Sequence, residues 1–270
     1  MVIQSLCLLI MLGGSSMNAQ LPTFKGQPWL GYFAVHLQRD YQFRLDSEGE
    51  GTVVPLQKSG EPITKLLHLP VKIFIEEKLP DGKIVARALQ VDSLASASPA
   101  TERFDKLTFT GKTAGDAAFE VTLEAQGARV RYGGRITDKG TLTTNPIQLC
   151  VQVRFPIAYR PIDLDKKDII KEVKDAELKV TRLDGKRFKL PADKPLAEPP
   201  NEVANKDLNL VDVEIGAWRG TEFEFSATPH SAIRLETPDS EGLLRGFFVK
   251  WYPDAATDPK GESRFQIEVK

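Results

Sequence analysis

From residue 20 onward, apolar and polar side chains alternate in short runs broken by Gly, Pro and Asp-Gly pairs. A period of two places every second side chain on one face of an extended strand, so each run has one apolar and one wet side. Val71, Ile73 and Ile75 share a face in one run, and Phe119, Val121 and Leu123 alternate with Glu120, Thr122 and Glu124 in another. Asp81-Gly82 and Asp184-Gly185 each stand between two such runs, and Asp-Gly is a strong hairpin signal. One-sided strands joined by tight turns suit antiparallel sheets rather than a parallel core buried on both faces. The expected fold is therefore all-β: antiparallel β-sandwich or meander units, two in number, with little helix. Only residues 165–177, around Ile169, Ile170 and Val173, carry a helical turn or two.

The expected division is an N-terminal β-rich domain over residues 20–160, a connector at 161–175 and a C-terminal β-rich domain over 176–270. One continuous sandwich of this length satisfies the same pattern. Residues 191–205, with Pro195, Pro199 and Pro200, hold almost nothing that could anchor a core and are expected to be a surface excursion. Gly111 and Gly115 precede Phe119-Glu120-Val121, as Gly216 and Gly220 precede Phe223-Glu224-Phe225, and the two blocks close on Phe155-Pro156 and Tyr252-Pro253. Duplicated meanders would give this similarity, although the later spacings differ.

Residues 1–20 differ from all that follows: they carry no charged side chain, and residues 2–12 are an apolar stretch. That stretch falls well short of the roughly 20 residues that span a bilayer as a helix. Gly13, Gly14, Ser15 and Ser16 follow, then Met17-Asn18-Ala19 with a small residue before a cleavage point. This order reads as a signal peptide over residues 1–19, although the leading segment lacks Lys and Arg and Met17 is larger than usual. The chain is accordingly expected to be exported, whether periplasmic, cell-envelope or secreted, with no transmembrane segment after processing. No Asn-x-Ser/Thr sequon occurs, in keeping with a bacterial exported protein.

Beyond the signal, Cys150 is the sole cysteine, so no internal disulfide supports the fold and the core must hold it together. Cys150 shares its strand face with Gln148, Gln152 and Arg154 and is expected to be a half-covered structural residue. Lys and Arg number 36 against 37 Asp and Glu, a net charge of −1. That balance gives no electrostatic case for nucleic acid or an anionic membrane as partner.

Motifs for bound cofactors are absent, and none is expected. Gly111-Lys112-Thr113 lacks the first glycine of a phosphate loop, since position 106 is Lys106, and a strand rather than a helix follows. His36, His68 and His230 are scattered without ligand spacing, so no metal site is expected. The turn Asp46 to Glu50 lacks the ligand ladder of a calcium loop, and no Gly-x-Ser-x-Gly elbow accompanies His230-Ser231.

Two constellations carry functional chemistry. In Leu210 to Ile215, Val211, Val213 and Ile215 are expected to face inward while Asp212 and Glu214 project together from the other side. Two residues along a strand span about 6.6 Å, a separation usable for glycosidic acid–base work, and Trp218 lies just beyond. Asp212 and Glu214 are thus the candidate catalytic pair of a glycan-active hydrolase, although a solvated strand face gives the same pattern. Trp29 and Trp218 stand near strand ends with Tyr32 and Tyr41 close to the first, and planar rings on a sheet rim are suited to gripping sugar rings. Trp251 shares a face with Phe247 and Val249 and is expected in the core. The leading expectation is an exported non-catalytic binding or interaction protein, with carbohydrate or another envelope component as ligand through Trp29 and Trp218. The alternatives are the hydrolase and an envelope assembly or scaffold protein, built on an edge strand at 243–251 or on Cys150 pairing between chains. The pattern specifies no oligomeric state.

Overall fold

The structure is a computed structural model that describes residues 20–63, 68–155, 177–192, 194–204, 207–218, 221–237 and 246–270. The expected signal, the connector at 161–175 and the start of the strand expected at 243–251 lie outside the described residues.

Among the described residues eighteen strands follow one another. The first eleven are β1 (Tyr32–Leu37), β2 (Tyr41–Asp46), β3 (Gly51–Pro55), β4 (Leu69–Lys78), β5 (Ile84–Arg87), β6 (Leu89–Ala95), β7 (Thr101–Glu102), β8 (Lys106–Thr113), β9 (Ala118–Gln126), β10 (Arg129–Asp138) and β11 (Ile147–Phe155). Then come β12 (Glu177–Arg182), β13 (Arg187–Leu190), β14 (Leu210–Trp218), β15 (Thr221–Ala227), β16 (Ser231–Glu236), β17 (Phe247–Pro253) and β18 (Phe265–Val269). Among the described residues the helical content is one 3-10 turn, Asn201–Ala204. Every strand pairing is antiparallel except β1 with β7. The protein is all-β.

The pairings lay the strands out in two rows. One runs β7, β1, β2, β3, β4, β11, β17, β16. The other runs β13, β12, β14, β15, β18, β10, β9, β8, β6. They meet where Leu210 of β14 pairs with Ile233 of β16. Elsewhere they face each other as layers: the ring of Phe43 meets Tyr132 edge-on at 6.1 Å, Phe155 meets Phe225 at 5.7 Å, and Trp251 stacks on Phe265 at 6.1 Å. Strands from before residue 156 and after residue 176 pair directly, β11 with β17 in one row and β10 with β18 in the other. A single buried apolar cluster runs from Leu21 to Val269.

Alternation translates into burial where the ladders are regular. Phe119, Val121, Leu123 and Ala125 are buried on β9, as are Phe265, Ile267 and Val269 on β18. The Asp-Gly turns form hairpins, with positive φ at Gly82 and Gly185 but not at the preceding aspartates. Each turn therefore spares Asp the left-handed region and places only glycine there.

Three expectations need correction. The bulge between β12 and β14 inserts Val211 opposite no partner, so fully buried Leu210 takes the core position and Val211 stays partly exposed. One extra residue inverts the faces on either side of it. Cys150 is completely buried rather than half-covered, because Phe74 stands opposite it on β4 and Tyr252 of β17 hydrogen-bonds to it. Finally, the segment at 191–205 is anchored: Leu196, Asn201 and Ala204 are buried, and Asn201 Nδ2 donates to Pro191 O at 2.9 Å and Lys194 O at 3.0 Å.

Candidate binding face

The same registers that send Ile73, Val151, Trp251 and Ile233 into the core send their neighbours to the outer face of the first row. There Phe74 and Glu76 of β4, Cys150 of β11, Lys250 and Tyr252 of β17, and Arg234 and Glu236 of β16 lie side by side. Lys250 Nζ donates to Glu76 Oε1 at 2.9 Å and to Glu236 Oε2 at 2.7 Å. Tyr252 OH donates to Glu76 Oε2 at 3.0 Å, and Arg234 Nη2 donates to Tyr252 OH at 3.1 Å and Glu236 Oε2 at 3.3 Å. Glu76 and Lys250 keep only 7% and 8% of their side-chain surface, so the pair is almost wholly withdrawn from solvent. Burial pulls the Lys250 ammonium down, but its hydrogen bonds to Glu236 and Glu76 outweigh that and leave its pKa above the ordinary lysine value. Burial, with Glu76 adding to it, pushes the Cys150 thiol well above its ordinary value, so it stays protonated and unreactive. A thiol this deep is not offered for pairing between folded chains.

A cleft borders this network on either side. The first, about 290 Å³, has Phe74 in its floor, Ala86, Leu89 and Val91 among its walls, and Glu50 and Lys72 at its rim. Glu50 and Lys72 form an exposed ion pair of 2.9 Å, and the Lys250 ammonium lies 5.8 Å from the Phe74 ring centroid. The rim is set by the β2–β3 turn, where Asp46 Oδ1 accepts from the backbone N–H of Glu48 and Glu50 at 2.9 Å each. Gly49 makes that turn possible: its φ is +78, and an added Cβ would sit 3.2 Å from Leu94 Cδ1. The second cleft, about 410 Å³, is lined by Gln148, His230, Ser231, Tyr252 and Asp254 with Leu183 and Leu208. His230 there holds a φ of 66, and its carbonyl accepts from Asp254 N at 2.8 Å.

Of the residues singled out in the sequence, Trp29 is half-buried beside Tyr32, and the Arg44 guanidinium carbon lies 5.9 Å from the Trp29 ring centroid and 5.5 Å from that of Tyr32. The backbone of Trp218 ends β14 opposite Thr221, and its side chain lies outside the described residues. Trp251 is fully buried in the core. Asp212 and Glu214 do share a face, the outer side of the second row. Glu214 stands directly across from Glu224, which is ion-paired with Lys270, and Glu268 and Glu124 nearby pair with Arg129 and Arg264. Neither Asp212 nor Glu214 lines the described clefts. Among the described residues no group of three or more His, Cys, Asp or Glu is placed to hold a metal ion, and no helix is long and apolar enough to cross a membrane.

Burial, followed by repulsion from Glu224 and Glu214, raises the Asp212 pKa to about 6. Ionising Asp212 therefore costs the folded state nothing below about pH 4 and its full penalty above about pH 6. A rise of that size corresponds to at most about 3 kcal/mol, which solvent screening of a partly exposed group reduces to about 1–2 kcal/mol. Asp212→Asn should raise stability by that amount at pH 7.5 and leave it unchanged at pH 3.5, as read from urea unfolding at both values. An equal gain at both would show that charge is not the cause.

Sequence reasoning missed Phe74, Glu76 and Lys250. Their only signal was a charged or aromatic residue at the wet positions of otherwise ordinary strands.

No protein-family model matches the sequence, and no curated protein sequence matches it. Among solved structures the chain is similar to the α-N-acetylgalactosaminidase NagBb from Bifidobacterium bifidum, described in complex with GalNAc, at 10% identity and a TM-score of 0.47. The match covers 87% of this chain and 35% of that enzyme, so the chain spans well under half of its length.

Proposed function

We propose that the chain is an exported, non-catalytic binding protein of the cell envelope, and that it takes carbohydrate in the Phe74 cleft. The observation that carries this reading is the make-up of the cleft: an aromatic and aliphatic floor under a rim of Glu48, Glu50 and Lys72. A sugar ring has the matching duality, with C–H groups that pack on an aromatic face and hydroxyls that reach charged rims. Its volume of about 290 Å³ lies at the lower end of the ~300–1,000 Å³ usual for small-molecule sites, which suits part of a glycan chain rather than a large cofactor. Support for export comes from the uncharged, apolar run of residues 1–19. The buried Cys150 thiol and the absence of Asp212 and Glu214 from the lining of either described cleft favour binding over catalysis.

A polysaccharide pull-down followed by calorimetry on the purified chain tests the proposal. Phe74→Ala should weaken binding about tenfold or more, in line with loss of an aromatic anchor, while thermal unfolding shows the fold retained. Uniform failure to bind glycans, or binding indifferent to Phe74, would overturn it.

One observation favours a second reading, a glycan-active hydrolase. A carboxyl group titrating at about 6 beside Glu214 is the kind of acid that glycosidic cleavage uses. Release of reducing ends from a bound polysaccharide, abolished in Asp212→Asn, would establish that reading instead.

A further inference from the structure

Arg44 differs from most of the ordered arginines of the two layers, although Arg131, whose Nε donates to Gln266 Oε1, is likewise outside any ion pair among the described residues. Arg87, Arg129, Arg135, Arg234 and Arg264 each lie within ion-pair distance of a carboxylate, whereas no such pair involves Arg44 among the described residues. Its position is nevertheless fixed. Nε donates to Gln42 Oε1 at 2.6 Å, Nη1 reaches Tyr32 OH at 3.5 Å, and the guanidinium lies over both the Trp29 and Tyr32 rings. Gln42, its inner support, is itself 4% exposed. A guanidinium has five N–H donors in a planar fork, and stacking on rings leaves its edge in place to receive a planar anion through two parallel hydrogen bonds. Here Gln42 engages Nε and Tyr32 one N–H of Nη1, so the Nη1–Nη2 end, with Nη2 unpartnered among the described residues, is the edge left to a carboxylate.

The register connects this arginine to the Phe74 cleft. Arg44 stands opposite Thr52, Thr52 stands opposite Pro70, and Phe74 lies four residues further along β4 on the same outer face. Two strand spacings and four residue steps give about 16 Å, the reach of a short oligosaccharide rather than of one sugar. Lys72 lies between them, already paired with Glu50.

We infer that Arg44, laid over Trp29 and Tyr32, is the recognition point for a carboxylate on the bound glycan, so that the ligand class is an acidic, uronate-bearing oligosaccharide. This rests on the carbohydrate reading above and gives that ligand a charge. Trp29, with its ring centroid 5.9 Å from the guanidinium carbon, helps to fix its place, which is a positioning role.

The test is calorimetry at low salt on the purified chain with oligogalacturonate and alginate oligosaccharides, each compared with its methyl ester. The wild-type chain should bind at least one acid about tenfold more tightly than its ester, as a charge-assisted bidentate pair implies. Arg44→Gln should erase that preference while leaving ester binding in place, and Arg44→Lys, which cannot offer the fork, should restore it only in part. Equal binding of acid and ester by the wild-type chain, or a preference that survives Arg44→Gln, would overturn the inference and leave the carbohydrate reading intact. An Arg44-dependent preference that persists unweakened in Phe74→Ala would uphold the inference and remove the Phe74 cleft as the sugar site. Binding of none of the probes would remove both.

Discussion

Trp251→Ala should lower the unfolding free energy by about 3–5 kcal/mol, the usual cost of deleting a large ring from a packed core. Trp251 is fully buried, sits between Val151 and Ile233 in the ladder, and stacks on Phe265 of the facing layer. The void would thus open where β11, β16, β17 and β18 meet. For a chain of this length the loss corresponds to a fall of roughly 10 °C in Tm. Trp251→Phe should cost less than half as much. It keeps most of the packing and removes an indole N–H that has no hydrogen-bond partner among the described residues. Calorimetry reads a second property from the same variant. Since strands from both sides of residues 161–175 share one cluster, a single endotherm should shift as a whole. Two endotherms, only one of which moves, would show two independent units instead.

The second large effect is expected at Lys250. Lys250→Met leaves Glu76 nearly buried with Arg234 at 3.8 Å as its remaining cation, and strands an acceptor that the ammonium had satisfied at 2.9 Å. Breaking a buried pair in this way costs about 3 kcal/mol, with the residual arginine keeping the loss at the lower end of the range for such pairs. The double variant Lys250→Met with Glu76→Leu should recover most of it, because removing both partners also removes the unmet desolvation. Chemical denaturation of the two singles and the double closes the cycle. If the double is no more stable than Lys250→Met, the loss comes from packing around Phe74 and not from charge.

How far these features could be read from the chain alone follows from what alternation encodes. It states which side chains share a face, so the core rows through Phe119 and Phe265 and the joint projection of Asp212 and Glu214 were legible. It does not state which wet face another part of the chain will cover. For that reason Cys150, Glu76 and Lys250 gave no sign of their burial, and Phe74 gave none of its cleft. A single inserted residue defeats the pattern locally, as at Val211. Pairings between remote strands leave no trace in local rhythm, and the two rows could not be ordered from it. Trp29 was legible as an aromatic near a strand end, but its partner Arg44 was an ordinary charge until the register brought it over the ring.

The placement of β18 has a consequence for how the molecule is assembled. Its five residues lie between β10 and β15, both of which are earlier pieces of chain. Until they slot in, both of those neighbours present bare hydrogen-bonding margins, the kind of surface that invites stray strands from other molecules. The N-terminal half thus has no finished state of its own to reach during synthesis. It waits, unsealed, for its keystone.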